Sequence, residues 1–243
     1  NLLTSNNGFF FKEINKYFNN MGYQVSSKVM NCFDYGIPQT RRRAIIIGNL
    51  LSKEFEFPKK IKKVVSVHEA ISDLPRLLSG EGDTFQEYVK SSSSDYQKIM
   101  RKGSKGIYNH VSTKHSPEAL ERLSLIPPFG GKSDLPSQLR TKSIYSGTWG
   151  RIDPNGPART ITTRFDTPSS GQFTLNDQDR CLTVREAARI QSFPDNFIFE
   201  GSKESVRKQI GMAVPVKGAK IIFDSILKTF AGIDYPSQDK NVY

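Results

Sequence analysis

Three consecutive arginines, Arg41 to Arg43, run directly into Ala44-Ile45-Ile46-Ile47, and this junction narrows the choice of fold more than any other segment. Ala44 to Ile47 reads as a buried strand that stops at Gly48-Asn49. Ahead of it, Ile37-Pro38 forces an extended bend, because the residue before a proline is pushed out of the helical region. Further upstream, Phe10, Ile14, Tyr17 and Phe18 recur at helical spacing between Gly8 and Asn20, with Gly22 just past the end. Gln24 to Met30 then alternates as a strand, with Val25 and Val29 marking its inward side. Helix, strand, arginine-bearing loop and strand together predict an α/β edge. Charge this dense at the mouth of an apolar strand calls for water or for an anionic partner.

The overall balance suits the second possibility without selecting it. Lys and Arg number 35 against 24 Asp and Glu, a net charge of +11 and a pI near 9.6, which fits nucleic acid and equally fits a solubilising surface excess. A chain that is 36% hydrophobic and 11% aromatic has enough apolar material for a core. Cys32 and Cys181, with His68, His110 and His115, offer neither a metal-ligand spacing nor a disulfide framework, so no metal is expected. No apolar run reaches membrane-spanning length and the first residues carry no signal pattern. The expectation is a cytoplasmic protein without a membrane partner.

A Lys-rich connector, Lys59 to Lys63, follows Phe57-Pro58 and marks a candidate boundary. Residues 64–180 then change texture. Ser66 with Glu69 is a capping box opening a short helix that Pro75 closes, and Ser116-Pro117 opens another. Loop-rich sequence surrounds them. From 141 onwards come Ser146-Gly147-Thr148-Trp149-Gly150-Arg151 and Arg159-Thr160-Ile161-Thr162-Thr163-Arg164. The second of these is either an ordinary strand of β-branched residues or a row of Arg and Thr donors of the kind that reach phosphates and base edges.

In residues 181–197, Thr183 with Glu186 is a further capping box, and Val184, Ala187, Ala188 and Ile190 fall mainly on one side of the helix it opens. Taken alone, Thr-x-x-Glu-Ala-Ala also begins a helix-turn-helix, although Ser192-Phe193-Pro194 supplies no turn into a groove-reading helix. Finally, Gly211 to Pro215 leads into an amphipathic helix with Ala219, Ile222, Phe223, Ile226 and Phe230 inward.

The order of these blocks carries more than any one of them. Gln39-Thr40-Arg41-Arg42-Arg43, a loop-rich insertion, Leu182-Thr183-x-Arg185-Glu186-Ala187-Ala188-Arg189-Ile190-Gln191-Ser192-Phe193-Pro194-Asp195, then Gly211-x-Ala213-Val214-Pro215 resembles the DNA (cytosine-5) methyltransferase family across most of the chain. The resemblance implies an α/β fold: the C-terminal part of a Rossmann-like methyltransferase domain carrying an inserted, loop-rich mixed α/β target recognition domain. Residues 1–63 would belong to the catalytic domain and 64–180 to target recognition. Residues 181–243 would form a bracing helix and a return to the catalytic domain.

It further implies S-adenosyl-L-methionine as cofactor and double-stranded DNA with a flipped cytosine as substrate. By position in the Gln-x-Arg-x-Arg pattern, Arg43 would face the flipped base, Arg41 would serve phosphate or an active-site hydrogen bond, and Gln39 would fix the loop. Gly211, Ala213 and Val214 would give partial cofactor contact, and Trp149, Arg151, Arg159, Thr160, Thr162 and Arg164 are the candidate DNA readers. A bacterial, nucleoid-associated setting goes with this family, and the resemblance admits a cognate restriction endonuclease as partner.

The departures from the family pattern are equally informative. Its nucleophilic cysteine follows a proline, whereas Asn31 precedes Cys32 and Arg180 precedes Cys181. No Phe-x-Gly-x-Gly loop and no Glu-Asn-Val is present. In the family that Glu-Asn-Val lies just upstream of a Leu-Leu-rich segment and helix like the one starting at Asn1, Leu2 and Leu3. The expectation is therefore a C-terminal portion, inactive alone, that needs a catalytic half bearing the missing groups. Met212 stands where the family usually has Asn, which supports the alternative of a non-catalytic, sequence-specific DNA-binding protein on a degenerate scaffold.

Overall fold

The computed structural model describes residues 5–143, 145 and 147–233. Leu2, Leu3 and Ser146, which contribute to the sequence patterns above, lie outside the described residues. The first helix, α1 (Phe9–Asn20), forms where the periodicity predicts it, but none of its residues is buried. Strand β1 (Gln24–Asn31) pairs antiparallel with β3 (Arg42–Asn49), in a register running from Gln24 opposite Asn49 to Asn31 opposite Arg42. Between them the chain makes a 3-10 turn over Cys32–Tyr35 and the short strand β2 (Gln39–Thr40). Gly36 closes the turn at φ +70, a left-handed conformation that glycine adopts without steric cost. β2 leaves the hairpin to pair in parallel with β6 (Ala158–Arg159).

Ile45 to Ile47 are half-buried, not buried as the apolar run predicts. A two-stranded ribbon has two faces, and the covered one packs on helix α7 (Val216–Ile226) through a cluster of Met30, Tyr35 and Ile221 joined by Ile45, Phe57 and Ile222. Phe223, expected inward on α7, is 63% exposed. The stripe that packs is centred on Ile221 instead.

The main core is assembled from α2 (Val67–Ile71), α3 (Asp95–Arg101), β5 (Ile107–Val111), α5 (Val184–Ile190), α6 (Lys203–Gly211) and the loops near Ile161 and Phe165. β5 pairs antiparallel with β4 (Gly82–Gln86). Both predicted capping boxes are made, Ser66 with Glu69 and Thr183 with Glu186. The core takes residues from both sides of 180/181, where the family resemblance places the end of the target recognition region. A satellite cluster of Leu123, Ile126, Leu135 and Trp149 sits against α4 (Pro117–Leu125). Among the described residues the ladders are two-stranded. No helix among them is long and apolar enough to cross a membrane.

Candidate functional site

Helix α5 is buried on every side, which its spacing did not foretell. Ala187, Ala188 and Ile190 are fully buried, and so are Arg185 and Arg189. Arg189 holds Asp195 through two bonds, Nε to Oδ1 at 2.9 Å and Nη2 to Oδ2 at 2.6 Å, and its Nη1 reaches Asp73 and the Ala70 carbonyl. Arg180 grips Glu186 with two bonds of 2.8 Å. Burial alone raises the Glu186 carboxyl, and the Arg180 guanidinium outweighs it, holding the group down at about 2. Arg185 donates to the carbonyls of Tyr108, Pro194 and Phe197. Buried charges persist only when paired and hydrogen-bonded in this way. After α5 ends at Ile190 the next helix, α6, starts only at Lys203, far beyond the three- or four-residue turn of a helix-turn-helix, which removes that reading.

The end of α5 meets the arginine-bearing loop. Gln39 is fully buried; its Nε2 donates to Gln191 Oε1 at 2.6 Å and to the Ile190 carbonyl at 3.1 Å, and its Oε1 accepts from Ile161 N at 3.3 Å. Gln191 in turn donates to the Ile210 carbonyl at 2.6 Å. Arg41 donates to the carbonyls of Ile161 at 2.9 Å and Gly211 at 3.1 Å. Burial, and after it the neighbouring Arg43, lowers the Arg41 pKa. Arg41 thus faces main-chain carbonyls, and it and Gln39 tie the three sequence blocks together.

Arg43 differs. It is exposed, its Nη1 donates to the Arg42 carbonyl at 2.8 Å, and it lines a cavity of about 220 Å3 together with Cys32, Arg41, Met212, Ala213 and Val214. The first and third sequence blocks therefore meet at one cavity. Gly211 is not in its wall. A Cβ on Gly211 would come within 2.4 Å of Thr163 N and 2.5 Å of Thr162 C, so this glycine permits close packing of α6 on the 162–163 backbone.

S-adenosyl-L-methionine does not fit the cavity as a whole. Its volume lies below the roughly 300–1,000 Å3 usual for ligand sites, and none of its lining residues carries a carboxylate for ribose hydroxyls. Ala213 and Val214 can form one wall of such a site. Neither cysteine is poised as a nucleophile, since burial raises Cys32 against the opposing pull of Arg41 and Arg43, and raises the fully enclosed Cys181 further. No cluster of three or more His, Cys, Asp or Glu among the described residues is placed to hold a metal ion.

The candidate DNA readers separate into two groups. Trp149 is buried, with its indole N–H on Thr141 Oγ1 at 3.0 Å. Arg151 is also buried, and its donors go to the carbonyls of Leu123, Ile126, Leu175 and Gln178 and to Asp179. Five acceptors match the five guanidinium N–H groups, so both side chains build the frame. Arg159, Thr162 and Arg164 are exposed, and Thr160 is half-buried with its hydroxyl on the Thr40 carbonyl at 2.7 Å. Of the strand that is one alternative for Arg159 to Arg164, only Ala158–Arg159 forms. Sequence reasoning did not identify Asp73 and Arg180 as brace partners or Gln191 as the hub. Charged residues inside an otherwise apolar helix were the available signal.

The family profile described as C-5 cytosine-specific DNA methylase matches residues 1–228. Type II methyltransferase M.BbvI of Brevibacillus brevis is 34% identical over 225 residues, covering 89% of this chain and 52% of the relative. Type II methyltransferase M.DdeI of Desulfomicrobium norvegicum is 34% identical over 251 residues, covering 93% and 59%. The chain thus spans about half the length of the curated relatives it matches. A solved structure described as a DNA modification methyltransferase encoded within an E. coli prophage superposes with a TM-score of 0.65 at 25% identity, covering 92% of this chain and 65% of that one.

Proposed function

The chain belongs to the C-5 cytosine-specific DNA methylase family, and on that footing we propose that it is the portion of a DNA (cytosine-5) methyltransferase that recognises the target duplex and supplies active-site arginines. The observation that carries this reading is the junction at which Gln39 and Arg41 lock the first block to the second and third while Arg43 stays exposed at the cavity mouth. Enzymes that act on a base take it out of the stack. Cytosine C5 is a poor nucleophile until a thiolate adds at C6, and the charge that then gathers at O2 and N3 needs a fixed cation. A guanidinium at O2 serves, because it keeps its proton at any working pH. Arg43 takes that role, with Arg41 and Gln39 as its support.

The nucleophilic cysteine, the acidic glutamate and most of the S-adenosyl-L-methionine site then belong to the sequence that the longer relatives carry. Phe9, Phe10, Tyr17, Leu50 and Leu51, exposed at the outer edge of α1 and the β1–β3 hairpin, are where we place that catalytic half. Residues 64–180 are the target recognition domain in this reading, with Arg159, Thr160, Thr162 and Arg164 as readers on a frame that includes Trp149 and Arg151. The type II relatives support a bacterial restriction–modification setting.

The test is transfer of labelled methyl groups from S-adenosyl-L-methionine to mixed-sequence DNA, by the chain alone and after co-expression with its natural upstream sequence. Activity is expected only in the combined sample. Activity in the chain alone would overturn the division of labour; silence in both with DNA binding retained would establish the non-catalytic reader, for which the exposed Met212 speaks.

A further inference from the structure

A second opening, about 450 Å3, is lined by residues between 129 and 172 and shares none of them with the cavity at the arginine junction. Glycines form its floor. A Cβ on Gly130 would meet the Pro127 carbonyl oxygen at 2.8 Å, and one on Gly150 would meet that of Gly147 at 2.9 Å. Both Cβ positions point at the chain's own backbone, so these glycines let the wall of the opening fold tightly on itself. Along its rim stand Lys132 and Arg159, together with Phe129 and Tyr145, which are 61% and 70% exposed.

Phe129 is the anomaly. Its φ is +63, a conformation that side chains other than Asn and Asp rarely hold, yet the ring is not buried in return. The loop leaves it no alternative. Phe129 N–H donates to Asn176 Oδ1 at 2.7 Å, Gly130 N–H to the Pro127 carbonyl at 2.9 Å, and Gly131 N–H to Asp134 Oδ2 at 2.7 Å. Arg151 N–H, on the buried frame, clamps the Gly130 carbonyl at 2.9 Å. Strain over-determined by its surroundings concentrates where a side chain is presented to a ligand.

The geometry points to a nucleic-acid groove in which Phe129 is the base-contacting side chain, its ring stacking on a base while Lys132 takes a backbone phosphate. Lys132 is held ready, with Nζ on the Ser143 carbonyl at 2.8 Å. This assignment rests on the reading of duplex DNA as substrate, and it names a specificity-determining residue that the Arg and Thr row did not include.

Fluorescence anisotropy with the full-length protein and a labelled mixed-sequence duplex tests it. Phe129→Gly relieves the backbone, so its melting temperature stays equal or rises while affinity falls roughly tenfold, the size of one lost stacking contact. Its salt slope stays unchanged, whereas Lys132→Ala lowers the slope by about one. Phe129→Trp keeps the affinity. Wild-type affinity in Phe129→Gly, or a melting temperature that drops together with affinity, would overturn the groove and mark a packing role. Failure of the wild-type protein to bind duplex at all would remove the DNA reading itself, and the groove with it.

Discussion

Two sets of arginines divide this molecule. Arg180, Arg185 and Arg189 are fully buried, and their donors go to carboxylates and carbonyls of the same chain. Arg41 to Arg43 grade outward instead: Arg41 is buried on two carbonyls, while Arg42 and Arg43 are exposed. Guanidinium groups of identical chemistry thus serve as framework where distant segments of the chain supply the acceptors, and stay exposed where they do not. Saturation of donors separates the two roles better than charge density does. Arg151 illustrates this within the proposed recognition region, where a sequence-level candidate for DNA contact is consumed by its own fold.

The sharpest way to break this division is to remove one half of a buried pair. Arg189→Ala leaves Asp73 and Asp195 without their shared cation, at a cost of about 3–5 kcal/mol, and chemical denaturation should show a chain near or below its folding threshold. Gln39→Leu should be milder, about 1–3 kcal/mol, since it leaves buried acceptors and the Ile161 N–H unpartnered. A second expected effect of that variant is slower methyl transfer in the assembled protein, because the loop carrying Arg43 loses its strut.

Acid offers a graded version of the same experiment. Glu186 has its folded pKa lowered from 4.5 to about 2, so its contribution to stability is fully present above 4.5 and is lost as pH falls towards about 2. Burial also lowers His110, whose ring sits between Thr183 Oγ1 and the Pro75 carbonyl, so its contribution starts to fall earlier, as pH drops through the ordinary histidine range. Glu186→Gln should flatten the lower part of an acid-unfolding curve followed by circular dichroism; an unchanged curve would remove the Arg180–Glu186 pair from the framework. At the other extreme, Arg43→Ala should shift stability by no more than about 0.5 kcal/mol, as for an ordinary surface substitution. The same variant should abolish methyl transfer while leaving specific DNA binding largely intact. A large loss of stability, or near-normal turnover, would place Arg43 in the wrong group.

The two faces of the molecule also differ in how legible they were. Helix starts at Ser66, Ser116 and Thr183 followed from capping patterns and appear in the structure as such. Those signals are local, made between residues three apart. The hairpin strands and α1 were equally legible in position. Their burial was not, because no residue of α1 is buried and each hairpin strand is covered on one side only.

What the chain's sequence determined by itself was the order of its three blocks, its helix caps and the concentration of arginine before β3. Tertiary structure decided which of those arginines are bound internally and which stay exposed, since the decisive acceptors lie far away in sequence. Arg189 meets the Ala70 carbonyl across 119 positions, and Arg41 meets that of Gly211 across 170. It decided as well that Phe129 stands exposed on a strained backbone, because a hydrogen bond to Asn176 and another from Arg151, on separate segments, fix that loop. Periodicity and capping are properties of a few neighbouring residues, whereas desolvation of a charge depends on everything packed around it.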